Sequence, residues 1–219
     1  MASAADFDRL HMLGRGDDPF AATDRAVRIA TRKMVRIFAR LRSRLALLDE
    51  DTYLVMQWVD AAYAEAWDVY RSCLVSAYAK AYLSILPRGA PASDAAFADY
   101  ASSAEEPEGY IPRSEWDRKR ERTFEAVLSA MRAGAPAVSV VTAARRLAVG
   151  QMVQGADGMT DLAILDAYSD AGVAKVRFVT QRDGRVCREC RGNDGRVYAI
   201  GKAPHIPIHH NCRCFYIPA

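Results

Sequence analysis

The sequence lacks any long uncharged hydrophobic run. No stretch of about 18 residues is free of charged side chains, so no transmembrane helix is predicted. The segment from Met1 to Asp8 carries acids where a secretory signal peptide has positive charge followed by an apolar run. These two absences predict a protein that stays in the cytosol of the cell that makes it and has no membrane partner.

Cysteine is scarce until the chain nears its end. Of the five cysteines Cys73 stands alone, while the last fifth of the chain contains Cys187, Cys190, Cys212 and Cys214. A chain of 219 residues can bury a core without disulfide bonds. Clustered cysteines in a reducing compartment favour metal ligation. Cys73 is predicted to be a core residue.

Acidic residues are absent between Asp24 and Asp49. Apolar residues recur there at helical spacing, which predicts a helix of about seven turns whose other faces are basic. Thr23 or Asp24 is its predicted N-terminal cap. The basic residues are Arg25, Arg28, Arg32, Lys33, Arg36, Arg40, Arg42 and Arg44. An acidic partner or double-stranded DNA would relieve their mutual repulsion. A solvated face screened by salt is the alternative, and the sequence leaves both open.

Glycine and proline are absent from residues 53–86, which predicts a second long helix. Residues 49–52 are its predicted N-terminal capping segment. Its buried side is predicted to consist of small and apolar residues, namely Val55, Val59, Ala62, Ala66, Val69, Cys73, Ala77 and Ala81. The two helices form a predicted helical hairpin over 21–86, preceded by a flexible arm over 1–20. Residues 87–112 are rich in proline, glycine, serine and acids and predict a linker. The remaining domain, 113–219, completes a mainly α fold with a small C-terminal α+β module.

Within that last domain, Gly134 ends a predicted third helix. Two shorter helices are predicted at about 138–153 and 160–171, the latter closed by Gly172. The alternation of side chains over 173–180 then predicts a strand.

The C-terminal cysteines are spaced as metal ligands. Cys187 and Cys190 are separated by two residues, which lets one turn direct both sulfurs at an ion about 2.3 Å away. The preferred set adds His209 and Cys212, and Cys214 is the alternative to Cys212. Four protein ligands complete a structural Zn²⁺ site and leave no position for an activated water, so hydrolytic metal chemistry is not expected. The sequence also offers no phosphate-binding glycine loop or nucleophile arrangement, and no enzymatic activity is predicted. The alternative interpretation is that these cysteines are small buried thiols that bind no metal.

The residues around these ligands also resemble a known family. The pattern is Phe178-Val-Thr180, Asp183, Val186-Cys187-Arg-Glu-Cys190, Gly195, Pro207 and His209-His-Asn211-Cys212-Arg213-Cys214. It is similar to the C-terminal domain of the phage Mu F-like, or head morphogenesis, minor head protein family, related to the minor head protein of phage SPP1. The resemblance covers roughly residues 160–218, and its zinc-binding motif covers 178–216. The family often has Trp at the position of Phe178 and Pro at that of His210.

This resemblance implies a low-copy virion component inside the head near the portal, present in the host cytoplasm during assembly. Its expected role is head morphogenesis or DNA packaging and delivery. The expected partners are the portal protein and other head proteins, with no small-molecule substrate. Portal contact through residues 21–86 is a hypothesis suggested by the basic hairpin.

Two alternatives remain. A zinc-knuckle nuclease of the His-Asn-His type is suggested by Pro204-His205-Ile206-Pro207, which follows the Cys187 and Cys190 pair. Such enzymes usually place a second cysteine pair well beyond that histidine, whereas here Cys212 and Cys214 follow almost at once. A cytosolic DNA-binding or adaptor module would use the basic helix and zinc module in the same physical ways.

Overall fold

The computed structural model describes residues 19–48, 51–85, 113–180, 186–206, 208–209, 212 and 214–219. The predicted linker and residues 1–18 of the predicted arm lie outside this description. The four long helices are α1 (Pro19–Leu45), α2 (Thr52–Ile85), α3 (Arg113–Arg132) and α4 (Val138–Asp170). After them come β1 (Lys175–Val179), α5 (Arg188–Asn193), β2 (Val197–Ala199), a 3-10 turn (Ile200–Lys202) and β3 (Phe215–Pro218). The predicted mainly α fold with a small C-terminal α+β region is confirmed.

None of the helices in these segments is long and apolar enough to span a membrane. Helix α1 begins at Pro19, before the predicted caps Thr23 and Asp24. Proline suits a first helical turn because its missing N–H would have no partner there. Helix α2 begins after Asp51, whose carboxylate accepts hydrogen bonds from the Tyr53 and Leu54 backbone N–H groups at 3.0 and 3.1 Å. This is an N-cap, as the sequence predicts.

The chain divides into two compact units, each assembled from separate stretches. The bundle unit contains Val27–Leu74 and Glu106–Gly155. The C-terminal unit contains Met1–Ala26, Val75–Glu105 and Ala156–Ala219.

In the bundle unit, α1 and α2 pack as antiparallel neighbours. The rings of Phe38 and Tyr63 meet edge to face with centroids 5.7 Å apart, and the Arg44 guanidinium lies 5.9 Å from the centroid of Trp58. Residue numbers rise along α1 as they fall along α2, as expected for a hairpin. Trp116 of α3 is buried against this pair and donates a hydrogen bond from Nε1 to the Tyr63 carbonyl.

The buried side of α2 matches its predicted apolar positions. Residues predicted and found to be buried are Val55, Val59, Ala62, Ala66, Cys73, Ala77 and Ala81. Val69 is only half-buried. The aromatic residues Tyr63, Tyr70, Tyr78 and Tyr82 are also buried, so these rings pack rather than form a nucleic-acid stacking surface.

Helix α4 is continuous, so the prediction of two helices at 138–153 and 160–171 is wrong. Gly172, with φ of +79°, ends the helix region as predicted. In the C-terminal unit the Tyr78 hydroxyl donates to Asp166 at 2.7 Å, and the Tyr82 hydroxyl donates to Asp170. Residue numbers rise together in these pairs, so α2 and α4 run parallel there.

The three strands form an antiparallel sheet in the order β2-β1-β3. In the register of the central strand, Arg177 lies opposite both Val197 and Ile217. The side chains of the other face of the sheet, on which Arg177 does not lie, include Val176, Phe178 and Tyr216, and all three are fully buried. This sheet positions the two halves of the cysteine motif.

Candidate metal centre

The Cys-x-x-Cys half of the cluster lies at the start of α5. Cys187 is the N-cap residue, with extended backbone angles, and its Sγ accepts a hydrogen bond from the Cys190 backbone N–H at 3.3 Å. A sulfur in this position takes the place of the side-chain oxygen of an ordinary N-cap residue. The turn therefore brings Cys187 and Cys190 to the same side of the short helix.

Two hydrogen bonds connect this turn to backbone groups of residues 178–180. The Asp194 carboxylate accepts a hydrogen bond from the Thr180 N–H at 2.9 Å, and the Gly195 N–H donates to the Phe178 carbonyl at 2.8 Å. Gly195 has φ of +80°, a conformation that L side chains rarely adopt. Glycine thus permits the turn that returns the chain from α5 to β2.

The second half of the cluster immediately precedes β3. The Cys212 N–H donates a hydrogen bond to the His209 carbonyl at 3.0 Å, which connects two of the predicted ligand residues. Cys214 is the residue before Phe215, the first residue of β3. Because β3 pairs with β1, it returns Cys212 and Cys214 to the sheet that holds the first half.

All five predicted ligands are brought together. His209 Nε2 lies 3.1 Å from Cys187 Sγ and 3.0 Å from Cys190 Sγ, and Cys190 Sγ lies 3.7 Å from Cys212 Sγ. The donor atoms of Cys187, Cys190 and His209 lie within 4.8 Å of one another, and so do those of Cys190, Cys212 and Cys214. Cys190 is shared by both groups and is therefore the centre of the cluster.

The spacing fits a tetrahedral metal ion. Two thiolates bound to one Zn²⁺ at 2.3 Å are about 3.8 Å apart in a tetrahedron, close to the Cys190–Cys212 distance. A thiolate and an imidazole nitrogen on the same ion are about 3.5 Å apart, so His209 would have to move outward by about half an ångström. Cys190, Cys212 and Cys214 are buried, which excludes bulk water from one side of the cluster.

Local hydrogen bonds and burial act in opposite directions on the thiols. The Cys190 backbone N–H lowers the pKa of Cys187 below its ordinary value. Burial raises the pKa of Cys190, and it raises that of Cys214 to about 12. Without a cation, the raised pKa values keep Cys190 and Cys214 as neutral thiols at neutral pH. A divalent cation would favour the thiolate forms, since its charge stabilises them directly.

Other histidines contribute less. The alternative hypothesis of a nuclease depends on His205. This residue is exposed and belongs to neither donor group. His210 lies outside the described residues, as do the motif positions Asp183, Pro207, Asn211 and Arg213.

One buried residue that contacts the segment leading to His209 was not predicted from the sequence. Asp161 of α4 is 1% exposed and accepts a hydrogen bond from the Ile206 N–H, three residues before His209. The available signal was an acidic residue within an otherwise buried stretch of helix, but a single acid in a helix is more often a surface residue.

The predicted basic contact residues lie along α1 and all eight are exposed. Arg40 forms an ion pair with Glu65 at 2.5 Å, and the Arg44 guanidinium lies over the Trp58 ring at 5.9 Å from its centroid. In the described segments Arg32, Lys33 and Arg36 have no acidic partner. The chain thus contains a five-donor cluster suited to a metal ion and a separate, strongly basic helix face. No protein-family model, curated protein or solved structure matches the chain.

Proposed function

We propose that the chain is a minor head protein of a tailed bacteriophage, in which a structural zinc ion joins the two halves of the 178–216 motif. The observation that carries this proposal is the convergence of Cys187 and Cys190 with His209, Cys212 and Cys214. Zinc is the metal whose preferences fit best, because sulfur and imidazole donors in a tetrahedral arrangement suit it. The motif residues that support the metal site are those that carry the family resemblance.

The metal's role is structural rather than catalytic. Four of the five donors fill the zinc coordination shell, and the fifth is another thiol rather than an open position. Cys190, Cys212 and Cys214 are buried. The ion would link Cys187 to His209, which are 22 positions apart in the sequence.

Metal analysis of the purified full chain tests the zinc site. We expect about one zinc ion per chain, with a loss of bound zinc in Cys187→Ser and Cys190→Ser. Cys73→Ser is the matched control, because Cys73 is a buried thiol outside both donor groups. Wild-type protein without zinc, or unchanged zinc in both ligand variants, would reject the site.

The α1 face is the proposed contact with the portal protein and other head proteins. Arg32, Lys33 and Arg36 lie within two turns of the helix and are exposed. Their repulsion raises the free energy of the isolated helix and falls when an acidic surface approaches. The proposal therefore requires an acidic patch on the portal.

Co-expression of the full chain with the portal protein encoded in the same genome tests this contact. The triple variant Arg32→Glu, Lys33→Glu, Arg36→Glu should lose co-purification with the portal oligomer. The control variant Arg118→Glu, Arg122→Glu, Arg146→Glu makes the same charge change at exposed positions on α3 and α4 and should retain it. Equal binding by both variants would contradict the α1 interface. Absence of the chain from purified virions would contradict the head-protein role itself.

A further inference from the structure

Asp161 is a buried carboxyl group in the C-terminal unit. Its Oδ2 accepts a hydrogen bond from the backbone N–H of Ile206 at 3.3 Å. Its Oδ1 has no hydrogen-bond partner within the described part of the chain. Burying a carboxyl group with only one such bond costs free energy. An apolar side chain at this position of α4 would avoid that cost, so packing alone does not account for the residue.

The backbone that Asp161 contacts leads directly to the metal cluster. Ile206 is buried and lies three positions before His209 in the sequence, a distance of at most about 10 Å of chain. The same segment has a second anchor, since the Tyr216 hydroxyl donates to the Pro204 carbonyl at 2.6 Å. Tyr216 in turn packs edge to face on Phe178, with ring centroids 5.6 Å apart.

These two anchors have different positions in the fold. Tyr216 belongs to β3 and connects the segment to the sheet that already carries both halves of the cluster. Asp161 belongs to α4 and contacts the segment from a long helix. Among the described residues, the Asp161–Ile206 hydrogen bond is thus a direct polar link from α4 to the segment that carries His209.

We propose that Asp161 is a positioning residue for the metal centre: through the Ile206 N–H it sets the place of the His209 segment and couples metal binding to α4. The inference rests on the proposed zinc site. Groups that orient a metal ligand typically change metal affinity by about 10- to 100-fold when removed. The coupling is reciprocal, so bound metal stabilises the α4 segment that carries Asp161.

The test measures zinc affinity of the full chain by competition with a chelator. Asp161→Leu removes the acceptor and should weaken zinc binding by about 10- to 100-fold. Asp161→Asn keeps an amide oxygen that can accept the same hydrogen bond, and its affinity should stay within about threefold of wild type. Thr160→Val is the matched control. It alters a neighbouring buried polar side chain whose hydrogen bond, among the described residues, goes to the Ala156 carbonyl of its own helix, and it should leave zinc affinity unchanged.

Hydrogen exchange is the second measurement. In the wild-type protein it does not require that a variant folds. Removal of zinc should raise exchange at the Ile206 amide and over residues 156–170 together, and leave α3 unchanged. In Asp161→Leu the effect of zinc on residues 156–170 should disappear.

Distinct results would overturn the inference or the zinc site beneath it. If wild-type protein binds no zinc, the proposed function fails. If wild-type binds zinc but Asp161→Leu binds it within twofold, or Asp161→Asn is impaired as strongly as Asp161→Leu, the positioning role is wrong. The positioning role is also wrong if removal of zinc from the wild-type protein leaves hydrogen exchange unchanged at the Ile206 amide and over residues 156–170.

Discussion

Gly155 of α4 faces Leu74 of α2 so closely that a Cβ atom on Gly155 would lie 2.9 Å from Leu74 Cδ2. The same Cβ would lie 3.2 Å from the Tyr70 hydroxyl oxygen. Both distances are shorter than ordinary van der Waals contact. Glycine at this position permits the close approach of the two helices in the bundle unit, although it is a poor helix former.

Gly155→Ala should destabilise the protein. The added methyl group must displace Leu74 or Tyr70, and overpacking of this kind costs about 1–3 kcal/mol, more than the helix-propensity gain of up to about 1 kcal/mol. Gly150→Ala is the control, because nothing lies within 4 Å of its added Cβ. It should stabilise by up to about 1 kcal/mol. Urea unfolding of both variants measures the difference, and equal effects would contradict the close approach.

Asp157→Asn should stabilise the protein at neutral pH. Burial, and then the charge of Asp24, raise the pKa of Asp157 from 3.8 to about 6, so the folded state favours the protonated carboxyl. The cost of ionisation is complete above pH 6 and disappears as the pH falls from about 6 to about 4. The variant should gain about 1–3 kcal/mol at pH 7 and almost nothing below pH 4.

Unfolding free energies measured at both pH values check the Asp157 prediction. Asp68→Asn is the control, since it removes the same formal charge at an exposed position of α2 and should change stability by less than about 0.5 kcal/mol. A gain in Asp157→Asn that is independent of pH would show that ionisation is not its cause.

Cys212 is expected to be the fourth zinc ligand and Cys214 the spare thiol. The Cys190–Cys212 sulfur distance of 3.7 Å already suits two ligands of one tetrahedral ion. Cys212→Ser should therefore weaken zinc binding by more than about tenfold, and Cys214→Ser by much less. Chelator competition on the two full-length variants distinguishes them. The reverse order would exchange the roles of the two cysteines.

If α1 contacts DNA rather than protein alone, binding should depend strongly on salt. Replacing Arg32, Lys33 and Arg36 with Gln should reduce the slope of log affinity against log salt concentration for a DNA duplex by up to about 2.7. Arg118, Arg122 and Arg146 replaced with Gln serve as the control and should leave the slope unchanged. Equal slopes in wild type and the α1 variant would exclude this face as the DNA contact.

The sequence predicted the helices where their periodicity is strong. In α2, Val55, Val59 and Ala66 recur on one face and are buried together. It failed in α4, where two shorter helices were predicted and Gly155 was left outside both of them. Glycine lowers helix propensity locally, but here the close approach of another helix selects it. That contact is tertiary and cannot be inferred from a local pattern.

The candidate site was predicted better than its surroundings. The residue types and spacing of the cysteines and His209 indicate metal ligands directly from the sequence, and all five predicted donors converge. Asp161 carries no such signal, because its partner is a backbone N–H that is 45 residues away. The choice between Cys212 and Cys214 also depends on where β3 places each sulfur, which spacing alone does not determine.

The Tyr78–Asp166 and Tyr82–Asp170 hydrogen bonds depend on the register of α2 along α4. The two pairs are separated by four residues on each helix, a rise of about 6 Å. A slide of that length in either direction would bring one tyrosine opposite the other pair's aspartate and retain one of the two bonds. Of these two hydrogen bonds, the native register therefore has one more than either register shifted by four residues. Intermediate positions would retain neither bond, so any such slip would occur as a discrete step rather than a gradual drift.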